Sequence, residues 1–184
     1  MNKLPLYTSR LMLRPFVMTD APRIVEILAN AREISQNLLL VPFPYTHQNA
    51  IDWLSTHEDN WASGKAFNFA ICLRESELLI GSTGGGMNEH NCCTVGYWLA
   101  TEYWGQGIMT EALKAVIRFC FEQLGANRVQ ADHFAFNPAS GRVMQKAGMQ
   151  FEGVIRERYF KDGRYIDAPL YAILKRDWGT HPAE

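Results

Sequence analysis

The feature that most narrows the fold is a junction in the middle of the chain. Thr94-Val95-Gly96-Tyr97-Trp98-Leu99-Ala100 is followed by Glu102-Tyr103-Trp104-Gly105-Gln106-Gly107-Ile108-Met109-Thr110-Glu111-Ala112. The first run is apolar and β-prone, and the second opens a helical pattern that places Ile108, Ala112, Ala115 and Phe119 on one face. Between them, Gly105 and Gly107 lack a Cβ, so the backbone can take unusual dihedrals and come close to a ligand. The unpaired N–H groups of the first helical turn then point outward, with the positive end of the helix dipole behind them. That combination predicts an anion site, for a phosphate or pyrophosphate.

Two common phosphate devices do not fit. A Walker loop ends in Gly-Lys-Ser or Gly-Lys-Thr, and neither follows Gly107. A dinucleotide-binding turn needs three spaced glycines after a first strand and an acidic residue about twenty positions on.

The rest of the chain reads as alternating strands and helices. Arg10 to Phe16 predicts a first strand stopped by Pro15. Thr19 reads as the N-cap of a short helix with Ile24, Ile27 and Leu28 inward. The apolar segment Gln36 to Tyr45, broken by Pro42 and Pro44, reads as a loop over the core. Thr46 caps a second helix that runs through Trp53 and Leu54 to Ser63-Gly64. Phe67 to Leu73 and Leu78 to Met87 are strands. Gly84-Gly85-Gly86 has the composition of a phosphate loop but no helix after it, which predicts a bulge or turn. After the long helix come a strand at Arg128 to Phe134 and a helix opened by a capping Asn137 and Pro138. Two closing strands, 149–159 and 165–176, are joined by Lys161-Asp162-Gly163-Arg164.

Composition removes several function classes. With 184 residues, 47% of them hydrophobic, the chain is sized for one core, and a single domain over 1–184 is expected. A net charge of −1 with both signs interspersed gives no basic patch for a nucleic-acid partner. No run approaches the roughly 20 apolar residues of a membrane span, and Met1-Asn2-Lys3-Leu4-Pro5 has no apolar signal core, so a soluble, cytoplasmic protein is expected. Cys72, Cys92, Cys93 and Cys120 lack zinc-site spacing, and Cys92 and Cys93 on one strand point to opposite faces. Reduced thiols and no metal are expected.

The junction resembles the acetyl-CoA pyrophosphate loop of the GNAT acetyltransferase superfamily, in the form Tyr-Trp-Gly-x-Gly-x-x-Thr-Glu-Ala of its RimJ/RimL-like branch. Trp104 and Met109 stand where the wider superfamily carries Arg or Gln and a small residue; Trp is usual in this branch. A second segment, Asn137-Pro138-Ala139-Ser140-Gly141-Arg142-Val143-Met144-Gln145-Lys146-Ala147-Gly148-Met149, is similar to the family's Asn-x-x-Ser-x-x-Val-x-x-Lys-x-Gly-Phe, and Glu152-Gly153 follows at the family's position. The resemblance covers nearly the whole chain. It implies the GNAT acyl-CoA N-acyltransferase fold, a mixed α/β arrangement with a mostly antiparallel seven-stranded sheet flanked by about four helices.

The resemblance also implies acetyl-CoA as cosubstrate and a set of contacts to it: Trp98 and Leu99 along the pantetheine arm, Trp104, Gly105, Gln106, Gly107, Met109 and Thr110 at the pyrophosphate, and Asn137 and Ser140 near the thiol. The implied reaction is direct acetyl transfer to a primary amine, of a protein N-terminus such as that of a ribosomal protein, or of a small molecule, by a monomer or homodimer. A non-catalytic acyl-CoA-sensing module and a nucleotide-phosphate binder are the competing readings. The amine must lose a proton, and the departing thiolate needs an acid. Ser140 is a candidate acid or a helix-cap residue. Glu157, Asp132, His133 and Glu89 are candidate bases, Glu157 being the best placed. Tyr165, Asp167 and Tyr171 contact the acceptor or pack the last strand. For Gln36 to Tyr45 the resemblance implies an alternative to the loop over the core, a wall of the acceptor pocket.

Overall fold

The computed structural model describes residues 4–178. Met1, Asn2 and Lys3 of the N-terminal stretch considered above lie outside the described residues, as do 179–184. The strands are β1 (Leu6–Tyr7), β2 (Leu11–Pro15), β3 (Phe67–Leu73), β4 (Leu79–Met87), β5 (Cys92–Leu99), β6 (Arg128–Asp132), β7 (Gln150–Lys161) and β8 (Arg164–Leu174). The helices are α1 (Ala21–Leu28), α2 (Arg32–Ser35), α3 (His47–Ser55), α4 (His57–Ser63), α5 (Ile108–Glu122), α6 (Pro138–Lys146) and α7 (Lys175–Trp178). One sheet takes the order β1-β2-β3-β4-β5-β6-β8-β7, and every pair in it is antiparallel except β5 with β6. A parallel pair needs a long crossover. Here it is the 15-residue helix α5.

Alternation along the strands sorts the core into two layers. Leu11 and Leu13, and Phe67, Phe69 and Ile71, face α5, where they meet Leu113, Val116 and Phe119. Met12, and Ala70 and Cys72, face the opposite way, toward Ile24, Leu28, Ala50 and Leu54. On β5, Val95 and Leu99 join the α5 layer while Trp98 joins the other.

Several boundaries differ from those read in the sequence. The sheet has eight strands because the two residues of β1 add an edge to β2, a run too short to carry a period. Thr19 does not cap α1. It lies in a 3-10 turn, Met18–Asp20, and the Asp20 carboxylate takes the Val17 N–H and both ends of the Arg14 guanidinium instead. Thr46 does cap α3, with Asn49 bonding back, but the long second helix breaks at Thr56, whose hydroxyl donates to the Trp53 carbonyl, 2.8 Å away. Gly84-Gly85-Gly86 is neither bulge nor turn: the three pair in unbroken register with Gly96, Val95 and Thr94 of β5. A Cβ at Gly84 would sit 2.3 Å from the Phe67 carbonyl and one at Gly85 2.2 Å from that of Thr94, so these glycines let three strands approach closely. At the end of the described residues, β8 stops at Leu174 and Lys175–Trp178 turns helical.

Candidate active site

The junction folds as strand, turn and helix. Gly105 has φ +75° and Gly107, the N-cap of α5, has φ +76°, both in the left-handed region. Nothing lies within 4 Å of a Cβ built on Gly105, so conformation and not crowding requires glycine there. The first backbone bond after the turn runs from the Glu111 N–H to the Gly107 carbonyl, which leaves the N–H groups from Gly105 to Thr110 unengaged among the described residues. Six consecutive donors at the positive end of a 15-residue helix are thereby left to serve an anion. The Met109 side chain is buried in the core while its N–H belongs to this set.

Glu111 braces the turn from below. One carboxylate oxygen accepts from Thr8 Oγ1 at 2.6 Å, Ser9 Oγ at 3.0 Å and the Arg10 N–H at 2.9 Å, and the other pairs with Arg10 Nε at 2.7 Å. Arg10 then donates through Nη1 to the Gln106 carbonyl, 3.0 Å away, and so ties the turn to β2. Burial alone would raise the Glu111 carboxyl, but these four bonds outweigh it and hold the group below the ordinary carboxylate range. The consequence for stability has a definite sign. The Glu111 contribution is fully present above the unfolded value of about 4.3 and is lost as pH falls through the lower folded value. Glu111→Gln is therefore expected to cost about 1–3 kcal/mol at neutral pH, with the gap to wild type shrinking as pH falls below the unfolded value of about 4.3. Urea unfolding of both proteins across that range measures it, and a gap independent of pH would remove the carboxylate from this role.

Beside the turn, the sheet opens. β5 and β6 pair only at Cys92/Arg128, Cys93/Val129 and Thr94/Gln130, after which β6 continues along β8 and β5 along β4. The Ala100 N–H donates to the Ile80 carbonyl, which fixes the phase of the β4–β5 ladder. By alternation, Gly96 and Trp98 aim their N–H groups at β4, and Tyr97 and Leu99 aim theirs into the opening. The Leu99 carbonyl on the same edge accepts from Trp104 Nε1 at 2.8 Å. The opening continues into a cavity of about 420 Å³ that reaches from Glu33, Asn37 and Leu38 past the two strands to the glycine turn.

Helix α6 closes the other side. Asn137 begins it, but its side chain makes no capping bond and instead lines the cavity, contrary to the capping role read from the sequence. Ser140 does not cap either: its Oγ lies 2.8 Å from the Tyr97 hydroxyl, which also donates to the Ser140 carbonyl at 3.1 Å. Arg142 and Lys146, one turn apart, line the same cavity. At the end of β6, Asp132 accepts from Arg158 Nε at 3.0 Å and from the Tyr159 hydroxyl at 2.8 Å. The next residue, His133, donates from Nδ1 to the Phe134 carbonyl at 2.8 Å and stacks on Tyr171. A Cβ at Gly141 would fall 2.7 Å from His133 Nε2, so the glycine of α6 makes room for that ring.

The structure thus brings Trp98, Leu99, Trp104, Gly105, Gly107, Met109, Thr110, Asn137 and Ser140 to one cavity, with Gln106 in the turn but outside the lining. Asp132 and His133 reach it as well. Glu157 does not line it: it sits in the irregular middle of β7 with φ +50°, its N–H donating to Asp167. Glu89 lies in the β4–β5 turn, at the far end of β5 from the glycines. Tyr97, Arg142 and Lys146 were missed. Strand alternation was the available signal for Tyr97, which is on the face of Leu99, and helical spacing from Asn137 and Ser140 was the signal for the two cations. Among the described residues no group of three or more His, Cys, Asp or Glu is placed to hold a metal ion. Cys93 and Cys120 meet in the core, 3.4 Å apart at Sγ.

An opened strand pair over an anion-binding helix end is the layout of an acyl-transfer domain, and comparison with known proteins agrees. The Acetyltransferase (GNAT) domain profile matches residues 10–150. The uncharacterised N-acetyltransferase p20 of Bacillus licheniformis is 30% identical over 175 residues, 94% of this chain and 97% of that protein. The ribosomal protein uS5-alanine N-acetyltransferase of Escherichia coli is 26% identical over 186 residues, 96% of this chain and 93% of its own. Among solved structures, Mycobacterium smegmatis RimJ in complex with a CoA disulfide superposes with a TM-score of 0.83 at 23% identity, covering 91% of this chain and 83% of that one. The chain belongs to the GNAT family of acetyltransferases, on its RimJ/RimL-like side. Its chemistry is acetyl transfer to an amine.

Proposed function

We propose that this chain, acting as one catalytic domain in the cytoplasm, transfers acetyl from acetyl-CoA directly to the α-amine of a protein N-terminus. The observation that carries the proposal is the parting of β5 and β6 beside six free N–H groups. The pyrophosphate takes the N–H groups of Gly105 to Thr110, with Arg142 and Lys146 adding positive charge from α6. The pantetheine amides extend the sheet along the open edge of β5, using Tyr97 and Leu99, and the thioester lies by Asn137 and Ser140. The acceptor enters past Glu33 and Leu38, and its proton leaves on the side of Asp132 and His133.

Two arguments favour an N-terminal amine. At neutral pH an α-amine near pKa 8 is neutral about 250 times more often than a lysine near 10.4, so the chain need strip fewer protons before attack. The relative that acts on a ribosomal protein alanine matches 96% of this chain. Thiol release from acetyl-CoA, measured with free-N-terminus peptides, N-blocked lysine peptides and small amines, tests the assignment. Turnover is expected with the first group and little with the second. CoA binding with no turnover on any amine would leave the sensing module as the better account.

A further inference from the structure

Tyr97 lies 43 residues before Ser140, on a different element, yet its hydroxyl makes two contacts to that one residue. Strand alternation sends the Tyr97 side chain toward the face of the sheet that carries α5, at the point where β5 has left β6. Of the two contacts the one to Oγ, 2.8 Å, is shorter than the one to the carbonyl, 3.1 Å. When the phenol donates to Oγ, the seryl proton is free to point into the cavity. When it donates to the carbonyl, the seryl proton is spent on Tyr97. Burial pushes the Tyr97 phenol up, with the Ser140 bond opposing it, so the phenol holds its proton at neutral pH.

An aliphatic alcohol is a far weaker acid than a thiol, whose reference value is about 8.5, so a lone serine that gave up its proton would be left as a costly alkoxide. A phenol, near 10 when unperturbed and raised here by burial, is still a much stronger acid than an aliphatic alcohol, so the charge left after the transfer costs less on Tyr97 than on Ser140. We propose that Tyr97 is the positioning residue that makes Ser140 a competent proton donor, passing its phenol proton to Ser140 Oγ as the seryl proton goes to the departing sulfur. This rests on the reading of Ser140 as the acid. As the C–S bond breaks, its electron pair goes to sulfur, sulfur takes the Ser140 proton, and Ser140 Oγ takes the Tyr97 proton. The proton lost by the amine on forming the amide bond returns to Tyr97 through water, so the count closes without another reactant.

The test is a cycle of Tyr97→Phe, Ser140→Ala and the double variant, with melting temperatures as a control. Tyr97→Phe is expected to lower kcat about tenfold or more while the Michaelis constant for acetyl-CoA stays within about twofold. The double variant should be no slower than Ser140→Ala, within about threefold. A second arm uses Ser140→Cys, whose thiol can give its own proton: adding Tyr97→Phe to it should cost little. If Tyr97→Phe turns over at wild-type rate while Ser140→Ala is slow, the relay is wrong and the acid reading stands. Losses that multiply in the double variant would assign Tyr97 to packing alone. If Ser140→Ala is as fast as wild type, the acid reading falls and takes the relay with it.

Discussion

Gly107→Val is expected to weaken CoA binding by about 10- to 100-fold, roughly 1.4–2.8 kcal/mol. Gly107 holds φ +76° at the N-cap of α5, a conformation that costs an L residue about 1–2 kcal/mol and a β-branched one more. Relief of that strain rotates the peptide planes on either side of the glycine. The N–H groups from Gly105 to Thr110, to which the proposed function assigns the pyrophosphate, are then turned away, and the added methyls stand beside them. Gly125→Val is the matched control. It has φ +70° at the other end of α5, carries the same backbone penalty, and is absent from the cavity lining. Calorimetric titration of CoA into both folded variants should show the loss only at 107. Equal affinity in the two would remove the turn from the site.

Ser140→Ala is expected to lower kcat about a hundredfold with little change in the Michaelis constant for acetyl-CoA. The variant deletes one oxygen, and the Tyr97 hydroxyl it leaves behind keeps the Ser140 backbone carbonyl as a partner, so no buried donor is stranded. Stability should fall by less than about 1 kcal/mol. A helix-cap role would produce the reverse, a loss of about 1 kcal/mol with normal turnover. The geometry argues against the cap, since the hydroxyl faces Tyr97 on β5 and makes no bond to the backbone of its own helix. Steady-state rates and one melt on this variant decide between them.

The central layout was legible because it rests on local signals. Period-two and period-3.6 patterns placed β3, β5 and α5, and Asp162-Gly163, with φ +50° and +77°, sits in a two-residue turn pairing Lys161 with Arg164. Whatever depends on register across long separations was not legible. Gly84-Gly85-Gly86 looks like a breaker by composition, and only the close approach of the Phe67 and Thr94 carbonyls shows why it belongs inside a strand. In the site, alternation divides labour within the segment Tyr97-Trp98-Leu99: Leu99 offers its backbone to the opening, whereas Trp98 offers its backbone to β4 and its side chain to the second core layer. That phase is set by pairing with β4, which a single sequence does not display. The same is true of Glu157. One of four candidate bases and the best placed of them in the sequence reading, it lies where the β7–β8 register shifts between Ile155 and Tyr159, and it is absent from the cavity lining.

The most direct test of the account is intact-mass measurement of both protein and acceptor during the reaction. Incubation with acetyl-CoA and a peptide bearing a free N-terminus should add one acetyl group to the peptide α-amine, while the enzyme mass stays unchanged before and after the amine is added. Cys93 and Cys120 are buried in the core and Cys72 lies in the second layer, so none of the three is placed to carry the acetyl group. An enzyme that gains a stoichiometric acetyl group from acetyl-CoA alone and gives it up to the amine would contradict direct transfer in the cleft between β5 and β6.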